Sequence, residues 1–284
     1  MKIVRAHSLG FCSGVRRALK LALEAAAEGP PLYLLGELVH NGRVSQKLKA
    51  LGATVLDEAS IERIAKGSLV VIRSHGVAPD LVARLERAQA RIIDATCPKV
   101  RANQKAAAAY AKEGYTVVVA GDRGHGEALG VAAHAPGSVI VSNPDEAAAL
   151  EANGPLALIA QTTLSRQEYV AIRANLARQH PALKECGGIC AATADRQEAL
   201  LSLCEQVDAI IVIGGANSSN SRRLAELARA QGKPCWLVED PEDMPIALAA
   251  YARIGLTAGA STPDEDIDAA ERVLERLSVK REKE

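Results

Sequence analysis

Cys12, Cys97 and Cys190 lie 85 and 93 residues apart, and each opens a run with helical patterning: "FCSGVRRALKLALEAA", "TCPKVRANQKAAAAYAKEG" and "ICAATADRQEALLSLCEQ". Ala and Leu dominate all three runs, and charged residues are expected on one face of each helix. A thiol at a helix start faces unpaired N–H groups and the positive end of the helix dipole, which favour thiolate, the form that binds metals. Three thiolates can hold zinc, although zinc usually comes with close C-x-x-C spacing, and the nearest approach to it here is Cys186-x3-Cys190. An iron-sulfur cluster on three thiolates is the sharper reading, because it leaves one iron open to a substrate. Taken singly, each cysteine reads as a small buried apolar residue; the repeat reverses that reading for the set. Cys204, inside a helical run, and Cys235, in "PCWLVED", read as core. Cys186 reads as a free thiol or an alternative ligand.

Polar residues recur in the same register. His40, His125 and Ser218 each lie 28 residues beyond the repeat cysteine, and a later strand in each repeat ends at His75, Thr162 or Ser261. The run "GGANSSNS" is a strand end, a glycine turn and then hydroxyls and amides before a helix. That order aims Ser218, Ser219, Asn220 and backbone N–H groups at a phosphate, or else simply caps the helix. Protonated His40, His75 and His125 are donors suited to a diphosphate. His7, His134 and His180 read as structural. Glu127, two residues past His125, is the carboxylate of this set. Beside a bound anion its pKa would rise and let it deliver a proton; otherwise it is an exposed helix-start Glu favoured by the dipole.

These residues need strand ends to carry them. After each cysteine helix come a β-rich run, a second helical segment, a short strand, a third strand and a closing helix, an order that predicts βαβ crossovers and parallel sheets. The reading is α/β, with three pseudo-threefold-related lobes, each a small mostly parallel sheet flanked by helices, around a central iron-sulfur site. Lobe 1 spans 13–96, lobe 2 97–189 and lobe 3 190–280. "KIVRAHSLGFC" resembles "ARIIDATC", so residues 1–12 are expected to complete lobe 3 with an N-terminal strand. In such sheets ligands collect at the carboxyl ends of strands.

Composition narrows the partners to small molecules. The 34 basic and 34 acidic residues cancel, so no net field recruits nucleic acid or anionic lipid. With 2% aromatic residues the chain lacks stacking platforms for single strands. No apolar run reaches the roughly 20 residues of a membrane span and no signal-peptide pattern opens the chain, so a cytoplasmic protein is expected. In that compartment the cysteines are thiols or metal ligands. The tail "VKREKE" reads as a solvated end.

With these residues in view, the chain resembles the LytB-type 4-hydroxy-3-methylbut-2-enyl diphosphate reductases of non-mevalonate isoprenoid biosynthesis. The resemblance runs through "GFCSGVRRA", "LVHN", "RSHG", "DATCP", "GHGE", "AQTTLS", "ATADRQEA", "NSSNSRRLAELA" and "TAGASTPD", nearly the whole chain. It implies a 4Fe-4S cluster on Cys12, Cys97 and Cys190. It also implies a diphosphate pocket of His40, His75, His125, Ser218, Ser219, Asn220 and Ser261, with Glu127 as proton donor and Thr162 orienting the substrate hydroxyl and proton path. The implied reaction takes two electrons from a ferredoxin- or flavodoxin-type donor, loses water and yields isopentenyl and dimethylallyl diphosphate. Departures from the family pattern fall at Gly126, where proline is frequent, at Ala191, where a larger side chain is common, and at Ala216, where lysine is usual. Two rivals are weaker. A quinolinate-synthase-like dehydratase needs no net electrons and no His/Ser diphosphate set, and a cluster-based redox sensor needs no poised acid.

Overall fold

The computed structural model describes residues 1–29 and 31–281, with side chains described up to residue 278. Strand β1 spans Lys2–Arg5, β2 Leu32–Leu35, β3 Ala53–Leu56, β4 Leu69–Ile72, β5 Arg91–Asp94 and β6 Thr116–Ala120. Strand β7 spans Val139–Val141, β8 Leu156–Ala160, β9 Lys184–Gly187, β10 Ala209–Ile213, β11 Cys235–Val238 and β12 Arg253–Ala258. They form three four-stranded sheets with the orders β3-β2-β4-β5, β7-β6-β8-β9 and β11-β10-β12-β1. Every pairing is parallel. The three orders are one pattern, in which β1 takes the place that β5 and β9 hold in the other sheets. The expected N-terminal strand is therefore present, with Ile3 opposite Ile254 and Val4 opposite Gly255.

Helices recur in the same rhythm. Those following the repeat cysteines are α1 (Ser13–Ala27), α4 (Pro98–Lys112) and α8 (Ala191–Cys204). Second in each repeat come α2 (Gly42–Ala50), α5 (Gly126–Ala132) and α9 (Ser219–Ala230), and the closing helices are α3 (Pro79–Arg87), α7 (Arg166–Gln179) and α10 (Asp264–Arg281). The short helix α6 (Pro144–Ala148) has 3-10 turns in its place elsewhere, Glu58–Arg63 in one repeat and Pro241–Asp243 with Ile246–Ala250 in another. Helix α10 runs into the tail "VKREKE", whose last three residues lie outside the described ones. None of the described helices is long and apolar enough to cross a membrane.

The chain forms two compact units, one of Met1–Cys12, His40–Gly42 and Ala191–Glu284, the other of Ser13–Val39 and Arg43–Cys190. In the first, the two faces of β10 divide by strand period: Ile211 and Ile213 join Leu256, Ile267 and Leu274, while Ile210 and Val212 join Leu200, Leu203 and Leu224. The second repeats this at β6 and β8, with Val118 and Leu158 on one side and Val119 and Ile159 on the other. Burying each such side chain contributes about 1.5–3 kcal/mol, so both faces of every central strand must be covered.

Helix α8 departs from the amphipathic expectation: it buries Thr193, Arg196 and Gln197 as well as Leu200 and Leu203. Arg196 is buried because its guanidinium donates to two backbone carbonyls, Ala192 at 2.6 Å and Gly10 at 2.5 Å. The second bond ties α8 to the turn just before Cys12.

Candidate active site

The three repeat cysteines share one backbone arrangement. Cys97 is the N-cap of α4, with Pro98 at the first helical position, and Cys12 and Cys190 directly precede α1 and α8. Their N–H groups donate to strand-end carbonyls: Cys12 to Ala260 at 3.2 Å, Cys97 to Ser74 at 2.9 Å and Cys190 to Thr162 at 3.1 Å. Each cysteine is thus tied to the segment that carries Ser261, His75 or Thr162. All three thiols are partly exposed, whereas Cys204 is buried among leucines. Burial pushes the Cys235 thiol up to about 12, as its core reading requires. Burial also pushes Cys186 up to about 11, despite a hydrogen bond with Tyr110 that lowers it, so its surroundings favour thiol over thiolate.

In the larger unit the strand ends bring His75, His125, Glu127 and Thr162 into one group. The His75 and His125 rings meet edge to face with centroids 5.2 Å apart. His125 caps α5, and its Nδ1 accepts the Glu127 N–H at 3.2 Å. With Nδ1 accepting in that bond, the ring N–H left to donate is the one on Nε2. Glu127 is 1% exposed, which rules out the exposed helix-start reading. Its Oε1 accepts the Thr162 N–H at 2.6 Å and its Oε2 accepts the Thr162 hydroxyl at 2.7 Å.

Buried neighbours hold this group in place. Gln161 Oε1 accepts the Asp122 N–H at 2.8 Å and its Nε2 donates to Thr163 Oγ1 at 2.7 Å, linking the ends of β6 and β8. Asn103 on α4 donates to Ala160 O at 3.0 Å. Gly76, after His75, has φ +70°, and a Cβ there would stand 2.3 Å from Gln104 Nε2, so only glycine fits the turn.

The smaller unit gathers His40, Ser218, Ser219, Asn220 and Ser261. Ser261 Oγ donates to His40 O at 3.1 Å. Ser218 caps α9, its Oγ accepting from Ser221 N at 3.3 Å and Ser221 Oγ at 3.1 Å. Ser219 accepts from Arg222 Nη2 at 3.1 Å. The capping reading and an anion-binding reading coexist here, because Asn220 is 4% exposed and its Nδ2 is buried without a partner. A buried amide left unpaired costs about 1–3 kcal/mol, and an oxyanion acceptor would recover it. Gly215 keeps the loop tight, since a Cβ there would lie 3.2 Å from His40 O.

Arg73, Asn103, Gln161 and Arg196 were given no role in the sequence reading, although Arg73, Gln161 and Arg196 lie in the quoted stretches "RSHG", "AQTTLS" and "ATADRQEA".

Comparison with known proteins places this arrangement. A family model described as "LytB protein" matches residues 3–277. A 4-hydroxy-3-methylbut-2-enyl diphosphate reductase of Treponema denticola is 44% identical, covering 96% of this chain and 99% of its own. One of Geotalea uraniireducens is 37% identical, covering 98% of each chain. Among solved structures, the E-1-hydroxy-2-methyl-but-2-enyl-4-diphosphate reductase from Plasmodium falciparum superposes with a TM-score of 0.92 at 30% identity, over 96% of this chain and 87% of that one. A second, (E)-4-hydroxy-3-methyl-but-2-enyl diphosphate reductase, gives 0.69 at 33% identity, over 97% and 99%. With the match running nearly end to end, the chain belongs to the LytB protein family.

Proposed function

We propose that this chain reduces (E)-4-hydroxy-3-methylbut-2-enyl diphosphate to isopentenyl and dimethylallyl diphosphate. Two electrons and two protons enter, the allylic C–O bond breaks and water leaves. The observation that carries the reading is the triple engagement of Thr162: its carbonyl takes the Cys190 N–H, while its N–H and hydroxyl both bind the buried Glu127 carboxylate. One residue thus joins a metal-ligand candidate to a proton-donor candidate.

Cys12, Cys97 and Cys190 are the ligand set we propose for a 4Fe-4S cluster. Their chemistry fits: three partly exposed thiols, each at the start of a helix in a corresponding place in the repeat. When bound, such a cluster supplies electrons and a Lewis-acidic iron. The protein's own residues do the rest. As the acid, Glu127 would carry its proton on Oε2 and donate it to Thr162 Oγ1, 2.7 Å away, while the Thr162 hydroxyl proton passes to the departing oxygen, a relay that reverses the hydrogen bond of the free protein. Thr162 N–H on Oε1 keeps the carboxyl from rotating. His40, His75, His125, Ser218, Ser219, Asn220 and Ser261 bind and orient the diphosphate, His125 through Nε2–H and Asn220 through its unpaired amide. The lobes that carry these groups are 13–96, 97–189 and 190–280 with 1–12. The electron donor is of ferredoxin or flavodoxin type, and cysteines kept as thiols suit the reducing cytoplasm.

Iron and acid-labile sulfide in anaerobic preparations test the ligand set. Wild-type protein should carry both, and Cys12→Ser, Cys97→Ser and Cys190→Ser should each lose most of them while Cys186→Ser keeps them. Full cluster content in all three serine variants would defeat the assignment.

A further inference from the structure

We infer that Arg73 is a positioning residue that holds the His75 turn beside the His125–Glu127 helix start, its guanidinium lying against the bare Cα positions of Gly36 and Gly126. The inference rests on the diphosphate reading of His75 and His125 for its kinetic consequence. Its geometric content stands on the free protein alone.

Arg73 follows β4 and precedes His75 by two residues. Its Nε–H donates to Gly76 O at 3.3 Å, closing over the same turn that the Gly76 N–H to Arg73 O bond of 3.0 Å makes in the backbone. Nη2 lies 3.8 Å from the Glu58 carboxylate, and the side chain is 23% exposed. The guanidinium is bracketed by two bare Cα positions. A Cβ on Gly36, at the end of β2, would stand 2.6 Å from Nη1. One on Gly126, the first residue of α5, would stand 3.2 Å from Nη2 and 3.3 Å from Cζ. The two contacts come from different repeats of the larger unit, so the plane of one side chain spans from the β2 end to the peptide flanked by His125 and Glu127. The His75 and His125 rings, 5.2 Å apart, sit on the two segments that this guanidinium lies against. A planar fork with fixed donor directions can do this; a lysine, with one flexible ammonium, cannot.

Arg73→Met, Arg73→Lys and Gly126→Ala test the inference, with histidine-selective NMR on the free protein and steady-state kinetics on the reconstituted one. The ring-to-ring cross-peak between His75 and His125 should be lost in Arg73→Met and weakened in Gly126→Ala, while His134 signals stay in place. KM for the allylic diphosphate should rise about tenfold in Arg73→Met with kcat within about threefold, the mark of lost ground-state positioning. Arg73→Lys should fail to restore it. Gly126→Ala should add nothing in the Arg73→Met background, because both act at one contact. An intact cross-peak and unchanged KM in Arg73→Met would overturn the inference. Should that variant fail to fold, Gly126→Ala, which deletes no contact, decides by the same two readouts. If the wild type turns over no allylic diphosphate, the proposed function fails, and the cross-peak still decides the role of Arg73.

Discussion

Glu127 and Thr162 meet through two hydrogen bonds, and the acid role depends on an oxygen that can carry a proton rather than on the contact alone. Glu127→Gln keeps the shape and removes the proton, so turnover should fall about 100-fold or more with iron content unchanged, as single-turnover assays with an iron determination would show. Retained activity would remove Glu127 from the mechanism. The remaining thiols give a second prediction. With Cys186 near 11 and Cys235 near 12, at most about one part in a thousand is thiolate at pH 8, so both should alkylate slowly, faster by about tenfold per pH unit. Mass spectrometry of iodoacetamide-treated protein would measure it. The candidate cysteines and histidines stand out in the sequence because their positions recur along the chain, and Glu127 because it lies two residues past His125. Arg73 and Arg196 do not, since their partners are backbone carbonyls of Gly76, Ala192 and Gly10, and nothing in the side-chain pattern announces which carbonyl a fold will leave within reach.

Helix starts carry the candidate site residues, and the helix caps therefore matter more than their size suggests. Ser165 and Glu168 form a reciprocal capping box at α7, three residues past Thr162. Ser165→Ala should lower the urea unfolding free energy by about 1 kcal/mol. Behind α7, Glu185 on β9 accepts from Tyr169 at 2.7 Å and Arg173 at 2.5 Å, and these bonds, the tyrosine's first, hold its carboxyl below the usual range. A lowered folded-state pKa contributes stability that is present above the unfolded value and lost as pH falls through the folded one. Glu185→Gln should therefore cost about 0.5 kcal/mol at neutral pH, after screening of this half-exposed pair, and the gap to wild type should close in acid. The strands were readable as apolar runs between turn residues. The 3-10 turns that replace α6 in the other repeats were not, because three to six residues are too few to show a period.

The fold of the whole chain depends on its first residues closing the last sheet. Strand β1 covers the edge of β12, with Ile3 and Val4 packing on opposite faces. Deleting residues 1–6 should cost about 3–5 kcal/mol, a large part of the margin of a typical domain, and hydrogen exchange should show β12 and β10 losing protection first. The sequence repeat made this closure legible, since "KIVRAHSLGFC" matches "ARIIDATC" and no later cysteine follows the third unit. Family membership and the Thr162 bridge support one proposal, that this reductase acts on an allylic diphosphate through an iron-sulfur cluster. The most direct test is a single-turnover experiment with anaerobically reconstituted, chemically reduced protein and (E)-4-hydroxy-3-methylbut-2-enyl diphosphate. The account predicts isopentenyl and dimethylallyl diphosphate, with two electrons consumed per substrate lost. Protein with a full iron and sulfide content that leaves the substrate unchanged would contradict it.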